Sequence, residues 1–210
     1  MTQLIELPAG AAAIDCATKL NEQSAAALKA AGVAGVLRYL TTLTDGEVRD
    51  ILEAELALGV IANDRGNWTP SGYYGDFDGW QTVARLKALK LPEGLTAWYP
   101  LEMWHGASDG AILAVDAYAR AVQAANFEAG LYVGYAAAPL TSEQLWRLGV
   151  TRYWRSCSEV PEVAECGYCM QQQYPPNQHV AGVQVDRDLV QADALGRLPH
   201  WAVRDGYQLT

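Results

Sequence analysis

The chain has 210 residues, half of them hydrophobic and 19% charged, without a polar low-complexity tract, which fits one globular domain with a sizeable core spanning residues 1–210. A formal net charge of −9 argues against nucleic acid and anionic membrane surfaces as main partners, because both call for clustered Lys and Arg. The N-terminal segment lacks a basic n-region and is broken by Glu6 and Pro8, so no secretory signal is expected, and no apolar run nears the roughly 20 residues of a membrane span.

Short β-rich runs alternate with helix-like runs along the chain. AAIDCA leads to the helix pattern EQSAAALKAAG, which stops at Gly32. GVLRYL precedes a helix expected from Asp45 to Leu58, closed by Gly59, and VIANDRG is the third strand. An aromatic loop from Trp68 to Trp80 follows, then the helix pattern DGWQTVARLKALKL, which ends before Pro92. TAWYPLEM, AGLYVGY and TRYWRSC are the next strands, separated by DGAILAVDAYARAVQAANF and the short TSEQLWRLG. CGYCMQQQY and AGVQVDRDL complete eight strands with little helix between or after them. Strand–helix alternation implies parallel pairing, and eight strands close a barrel. A doubly wound sheet would carry a glycine-rich loop after the first strand, and AIDCATKLNEQS has none. The expected fold is a compact α/β chain, a (β/α)8 TIM-like barrel with reduced late helices.

Five of these strands carry an ionisable residue at or near the C-terminal end: Asp15, Arg38, Asp64, Glu102 and Asp186. In a parallel barrel such ends share the face where catalytic groups gather. Singly, each has a plainer use: a strand-end Asp caps a helix, and an Arg pairs with a carboxylate. Glu102 stands apart, since LEMWHG surrounds it with apolar and aromatic groups whose desolvation favours the protonated form a general acid needs. Two carboxyl groups in contrasting environments meet the chemical requirement for glycosidic bond cleavage. The run Gln171–Gln173 should aim at least one amide inward, with Gln173 the candidate contact, which suits a sugar's hydroxyl and N-acetyl groups and equally a buried polar network. His105 reads better as a loop histidine. The cysteines Cys157, Cys166 and Cys169 have a zinc-like spacing, but GYCMQQQY reads as strand entry, so free thiols or one disulfide are expected rather than a metal.

Taken in order, IDCA, LKAAGV with VLRYL, the ALGVIA stretch before Asp64, AWYPLEM, GLYVGY, YWRS, QQQY and GVQVDRD resemble the bacterial and phage glycoside hydrolase-like barrels related to the family 25 lysozymes. The resemblance covers nearly the whole chain and rests on order and spacing. It implies a peptidoglycan-cleaving glycosidase acting on a β-1,4 bond. In the family, carboxylates stand on the first strand, as an Asp-x-Glu pair on the fourth, and on the last. Asp15, Glu102 and Asp186 match, whereas Pro100 replaces the first acid of the pair. Glu102 would then be the acid, with Asp15 or Asp186 supporting the positive charge or activating water. Arg38 would position an acid, Asp64 on the third strand is a candidate substitute for the acid that Pro100 replaces and a substrate contact, and Trp104, Tyr135 and Trp154 would line the sugar groove. Peptidoglycan or a related glycan is the expected partner. A monomer without cofactor is expected, delivered to the wall by another system such as phage lysis. Pro100 also leaves open a non-catalytic glycan-binding module on a decayed hydrolase scaffold.

Overall fold

The structure is a computed structural model that describes residues 2–62, 65–135 and 140–208. Its elements run β1 (Thr2–Glu6), β2 (Ala12–Cys16), α1 (Glu22–Ala30), β3 (Gly35–Tyr39), α2 (Asp45–Glu53), β4 (Ala57–Ile61), α3 (Gly72–Ala88) and β5 (Thr96–Leu101). They continue with α4 (Ser108–Gln123), β6 (Glu128–Val133), α5 (Ser142–Trp146), β7 (Arg152–Arg155), β8 (Met170–Gln172), β9 (Gln178–Val180), β10 (Val183–Val190) and β11 (His200–Arg204).

Eight strands close a ring in the order β2, β3, β4, β5, β6, β7, β8, β10. The first seven run parallel, and β10 is antiparallel to both neighbours. The expected eight-strand barrel is therefore present, with one reversed strand. A parallel return needs a long crossover. Here β8 leads through a short loop into the β9–β10 hairpin, so β10 must come back the other way. Asp186 consequently reaches the open end of the barrel from the early part of an antiparallel strand, not from the C-terminal end of a parallel one.

Two other expected boundaries move. The second helix stops at Glu53, and β4 begins at Ala57, because the run Ala57–Ile61 is buried throughout as a barrel strand requires. α3 begins at Gly72, inside the expected aromatic loop, with the Ser71 side chain accepting from the Tyr74 N–H. It packs closely on α4: a Cβ at Gly75 would meet the Ala114 carbonyl oxygen at 2.0 Å, and one at Gly79 would meet the Ala121 Cβ at 2.6 Å. That contact leaves Tyr73, Phe77 and Trp80 exposed on the far side of the helix. Among the described residues no helix is long and apolar enough to cross a membrane.

Strand alternation divides the hydrophobic residues into an outer layer under the helices and an inner layer within the ring. The inner layer includes Leu37, Trp98, Trp154, Met170 and Val190. Its closed end is made by β1 and β11, which sequence periodicity does not reveal. β11 pairs with β4 at Leu58, and the His200 N–H donates to Thr96 Oγ1 at 2.9 Å, so β11 fills the gap between β4 and β5. Trp201 then plugs the barrel floor, where Gly35 and Gly59 have no Cβ because one at either position would lie 2.9 Å from its ring. With the floor sealed by apolar groups, the polar inward positions collect at the other end.

Candidate functional site

The open end holds two adjoining cavities, of about 220 and about 230 Å³, that share Asp15, Tyr39 and Asp186 as their dividing wall. The first is also lined by Pro100, Glu102, Tyr132, Trp154 and Gln172, and the second by Thr18, Asn177 and Gln184. Neither includes a Lys or Arg among the described residues.

Period-two alternation explains which side chains arrive there. On β5, Trp98 faces the barrel, so Pro100 and Glu102 do too. Glu102 stands where the strand leaves the ring, and Met103 turns the chain away with a left-handed φ of 48° while its N–H donates to the Tyr135 carbonyl. Gly134 makes room for it, since a Cβ there would lie 2.4 Å from the Glu102 Cβ and 3.0 Å from Oε2. The Trp68 indole N–H donates to the Glu102 backbone oxygen at 3.3 Å. On β2, Ala13 and Asp15 face inward, and α1 is capped by Asn21, so Asp15 has no capping duty.

On β10, Val190, Asp188 and Asp186 lie on one face. Asp186 is registered opposite Asp15 and accepts from Gln172 Nε2 at 2.6 Å and from the Asn177 N–H. Asp188 lies one layer deeper, 1% exposed, and accepts from the Trp154 indole at 3.0 Å. Gln172 ties the wall together: its carbonyl oxygen accepts from the Tyr132 hydroxyl and the Cys157 N–H, both at 3.0 Å. The Trp154 ring is edge-on to Trp98 and Tyr132, with centroids 5.7 and 4.5 Å away.

This crowding of acids moves their protonation. Burial, then repulsion from Asp186 and Glu102, holds the Asp15 carboxyl well above the usual range, against a hydrogen bond with Asp188. Burial, then Asp15, does the same to Asp188, against the Trp154 bond. The Tyr132 phenol is pushed up by burial and then by Glu102 and Asp15. Burial, then Asp186, raises the Cys157 thiol.

The structure thus brings Asp15, Glu102 and Asp186 together with Trp154 and with Tyr135, which is 68% exposed at the rim. Three expected contacts fall elsewhere, two of them through strand parity. Arg38 points outward, fully buried under α2, with Nε donating to Glu47 Oε1 at 2.6 Å. Its place at the mouth is taken by Tyr39, one residue on. Gln173 is exposed on the outer side, and the inward amide is Gln172. Trp104 is 5% exposed in the outer core beside Trp68 and does not line the cavity. Asp64 lies outside the described residues. His105 is exposed, with its backbone N–H on the Trp68 carbonyl.

Sequence reasoning gave no role to Tyr39, Tyr132 or Asp188; the expectation that one amide of Gln171–Gln173 points inward is met by Gln172 and not by Gln173. The period-two relation of Asp188 to Asp186 was the available signal. The four cysteines are free, and Cys157 opens on the cavity while Cys166 and Cys169 are buried elsewhere. Among the described residues no group of ligating side chains is arranged to hold a metal.

No family model and no curated protein sequence matches the chain. Solved structures do. An uncharacterized protein of B. stearothermophilus superposes with a TM-score of 0.69 at 14% identity, over 86% of this chain and 96% of that one. The Tat-secreted protein Rv2525c of Mycobacterium tuberculosis, solved with L-tartrate, gives 0.66 at 16% identity, covering 86% and 95%. A family 25 glycosyl hydrolase from Bacillus anthracis gives 0.59 at 9% identity, covering 87% and 89%. At these identities the likeness is one of fold: the chain has the barrel architecture of the family 25 glycosyl hydrolases.

Proposed function

We propose that the protein is a glycoside hydrolase that cleaves a β-1,4 bond of peptidoglycan or a related glycan at the open end of its barrel. One observation carries this reading: Asp15 on β2, Asp186 on β10 and Glu102 at the exit of β5 converge on a cavity that Trp154 also lines. Paired carboxyl groups in unlike surroundings provide an acid and an anion on one site. The two cavities on either side of Asp15 and Asp186 suit a chain of sugar rings better than one small molecule. The aromatic faces of Trp154 and Tyr135 offer stacking, and Gln172 and Asn177 offer amides for hydroxyl and N-acetyl groups.

In the reaction, Glu102 protonates the leaving oxygen, and Asp186 or Asp15 supports the oxocarbenium-like charge or activates water. The likeness of fold to a family 25 glycosyl hydrolase supports the reading without assigning these roles. Purified protein incubated with peptidoglycan should release new reducing ends, identified by mass spectrometry of the fragments, and Glu102→Gln should lower the rate by about 10²-fold or more. Undiminished cleavage by Glu102→Gln removes Glu102 from the role.

Pro100 favours a second reading, glycan binding without cleavage. Its ring faces the cavity at the position where the resemblance expects another acid. That reading predicts retention on peptidoglycan with no reducing ends, abolished by Tyr135→Ala and unaffected by Glu102→Gln.

A further inference from the structure

The lower layer of the acidic mouth contains an unbalanced group. Asp188 is 1% exposed and Asp15 8%, yet only one Asp188 oxygen has an N–H donor, from Trp154. Asp188 Oδ2 is buried with no such partner among the described residues. The strand register sets the other carboxyl beside it: β10 and β2 are neighbours, Asp186 lies opposite Asp15 and Asp188 opposite Ala13, so Asp15 and Asp188 are inward-facing diagonal neighbours whose carboxyl groups interact. The remaining titratable groups around the pair are Asp186 on β10, Cys16 on β2, Tyr39 on β3, Glu102 just past β5, Tyr132 on β6 and Cys157 after β7, and none of these brings a positive charge.

Two buried carboxylates cannot face each other with an oxygen left bare, because repulsion and desolvation both oppose it. One proton between them resolves the conflict and gives the orphaned oxygen its hydrogen bond. We propose that Asp188 is a positioning residue whose buried carboxyl shares one proton with Asp15, so that the two together carry a single negative charge at the base of the mouth. For the reaction this rests on the proposed glycosidase reading and sharpens it, since Asp15 then meets the substrate as half of a singly charged pair and not as an independent carboxylate. The shared proton itself does not depend on that reading. Trp154 links the pair to the cavity, because its ring lines the site while its N–H fixes the Asp188 rotamer.

The test is a carbon-13 NMR titration of the side-chain carboxyl groups in the whole chain, with assignments from Asp15→Asn and Asp188→Asn. The wild type should hold one proton on the pair at pH 7. In Asp188→Asn, which preserves the Trp154 bond, the amide N–H can donate to Asp15 in place of the shared proton, so Asp15 should titrate at lower pH than the wild-type pair while its burial and the nearby Asp186 and Glu102 still hold it above the ordinary carboxylate range. Two fully ionised carboxylates in the wild type at pH 7 would overturn the proposal, as would an Asp15 titration unmoved by Asp188→Asn. Should the variant fail to fold, the wild-type titration alone decides. Where cleavage is measured, the alkaline limb of kcat/KM should move to lower pH in Asp188→Asn, and an unchanged profile would refute the positioning role. The NMR experiment uses no substrate, so absence of lytic activity together with a shared proton would refute only the proposed function.

Discussion

Arg38 offers a sharp test of the structure, because sequence reasoning places it at the mouth and the structure places it outside the barrel wall. Its guanidinium and the Glu47 carboxylate are both fully buried, joined at 2.6 Å. Glu47 Oε1 also accepts from the Leu20 N–H at 2.8 Å, and Arg38 donates to the Cys16 carbonyl. Arg38 Nη2 and Glu47 Oε2 have no partner among the described residues, so the pair is incompletely solvated by the protein. Such a pair contributes little net stability, but removing one member strands the other charge at a cost of about 3–5 kcal/mol. Glu47→Gln, which keeps an oxygen for Leu20, should therefore destabilise the fold by about that amount. With about 2–4 °C per kcal/mol for a chain of this size, the melting midpoint should fall by roughly 6–20 °C. Arg38→Met alone should do similar damage, and the double variant should recover about 2 kcal/mol or more relative to additivity. Thermal melts of the four proteins measure the cycle, and glycan binding below the transition should stay unchanged in all of them. If Arg38→Met melts like the wild type yet loses glycan binding, Arg38 belongs to the mouth and the placement is wrong.

Gly134→Ala forces a Cβ to within 2.4 Å of the Glu102 Cβ. It should displace that side chain and lower cleavage by about 10²-fold, seen in kcat, while thermal melting registers a loss of about 1–3 kcal/mol. Trp201→Ala empties the barrel floor and should cost about 3–5 kcal/mol in denaturant titration, while the Asp15 and Asp188 titration stays in place. His200 is held above its ordinary value chiefly by its bond to Glu128, and burial opposes the shift. A raised folded value means that its stabilisation is complete below the unfolded value of about 6.5 and is lost as pH rises through the folded value, so His200→Gln should flatten that decline in melts above neutrality. Asp15 and Asp188 also bind protons more tightly when folded, which lowers stability as pH rises from the unfolded carboxylate value. Asp188→Asn should consequently melt higher than the wild type at pH 8 and lose that advantage near pH 3; a lower midpoint at pH 8 would refute this accounting.

The barrel was legible because its strands are buried on both faces and read as apolar runs, with helices of regular period between them. The direction of the last strand was legible only in part. Little helix between QQQY and GVQV is the mark of an antiparallel return, although strand–helix counting alone treats β10 as one more parallel strand. β1 and β11 escape because their pairing joins the two ends of the chain, a contact that no local pattern encodes.

At the site, strand-end acids found the correct face, and the errors came from parity. Arg38 and Gln173 each stand one residue from the inward position, which Tyr39 and Gln172 occupy. A shift of one residue exchanges barrel lumen for the helix interface. Counting inward from Asp186 by two would have found Asp188, buried one layer below the mouth with its carboxyl on the Trp154 indole.

The central claim is that this mouth holds a glycan with the bond to be cut at Glu102. Its most direct test is a crystal structure of Glu102→Gln with a peptidoglycan tetrasaccharide. Sugar rings should fill both cavities, with the chain crossing Asp15 and Asp186 and a glycosidic oxygen within hydrogen-bonding distance of residue 102. A tetrasaccharide bound outside the open end, or an empty mouth at saturating glycan, would contradict it.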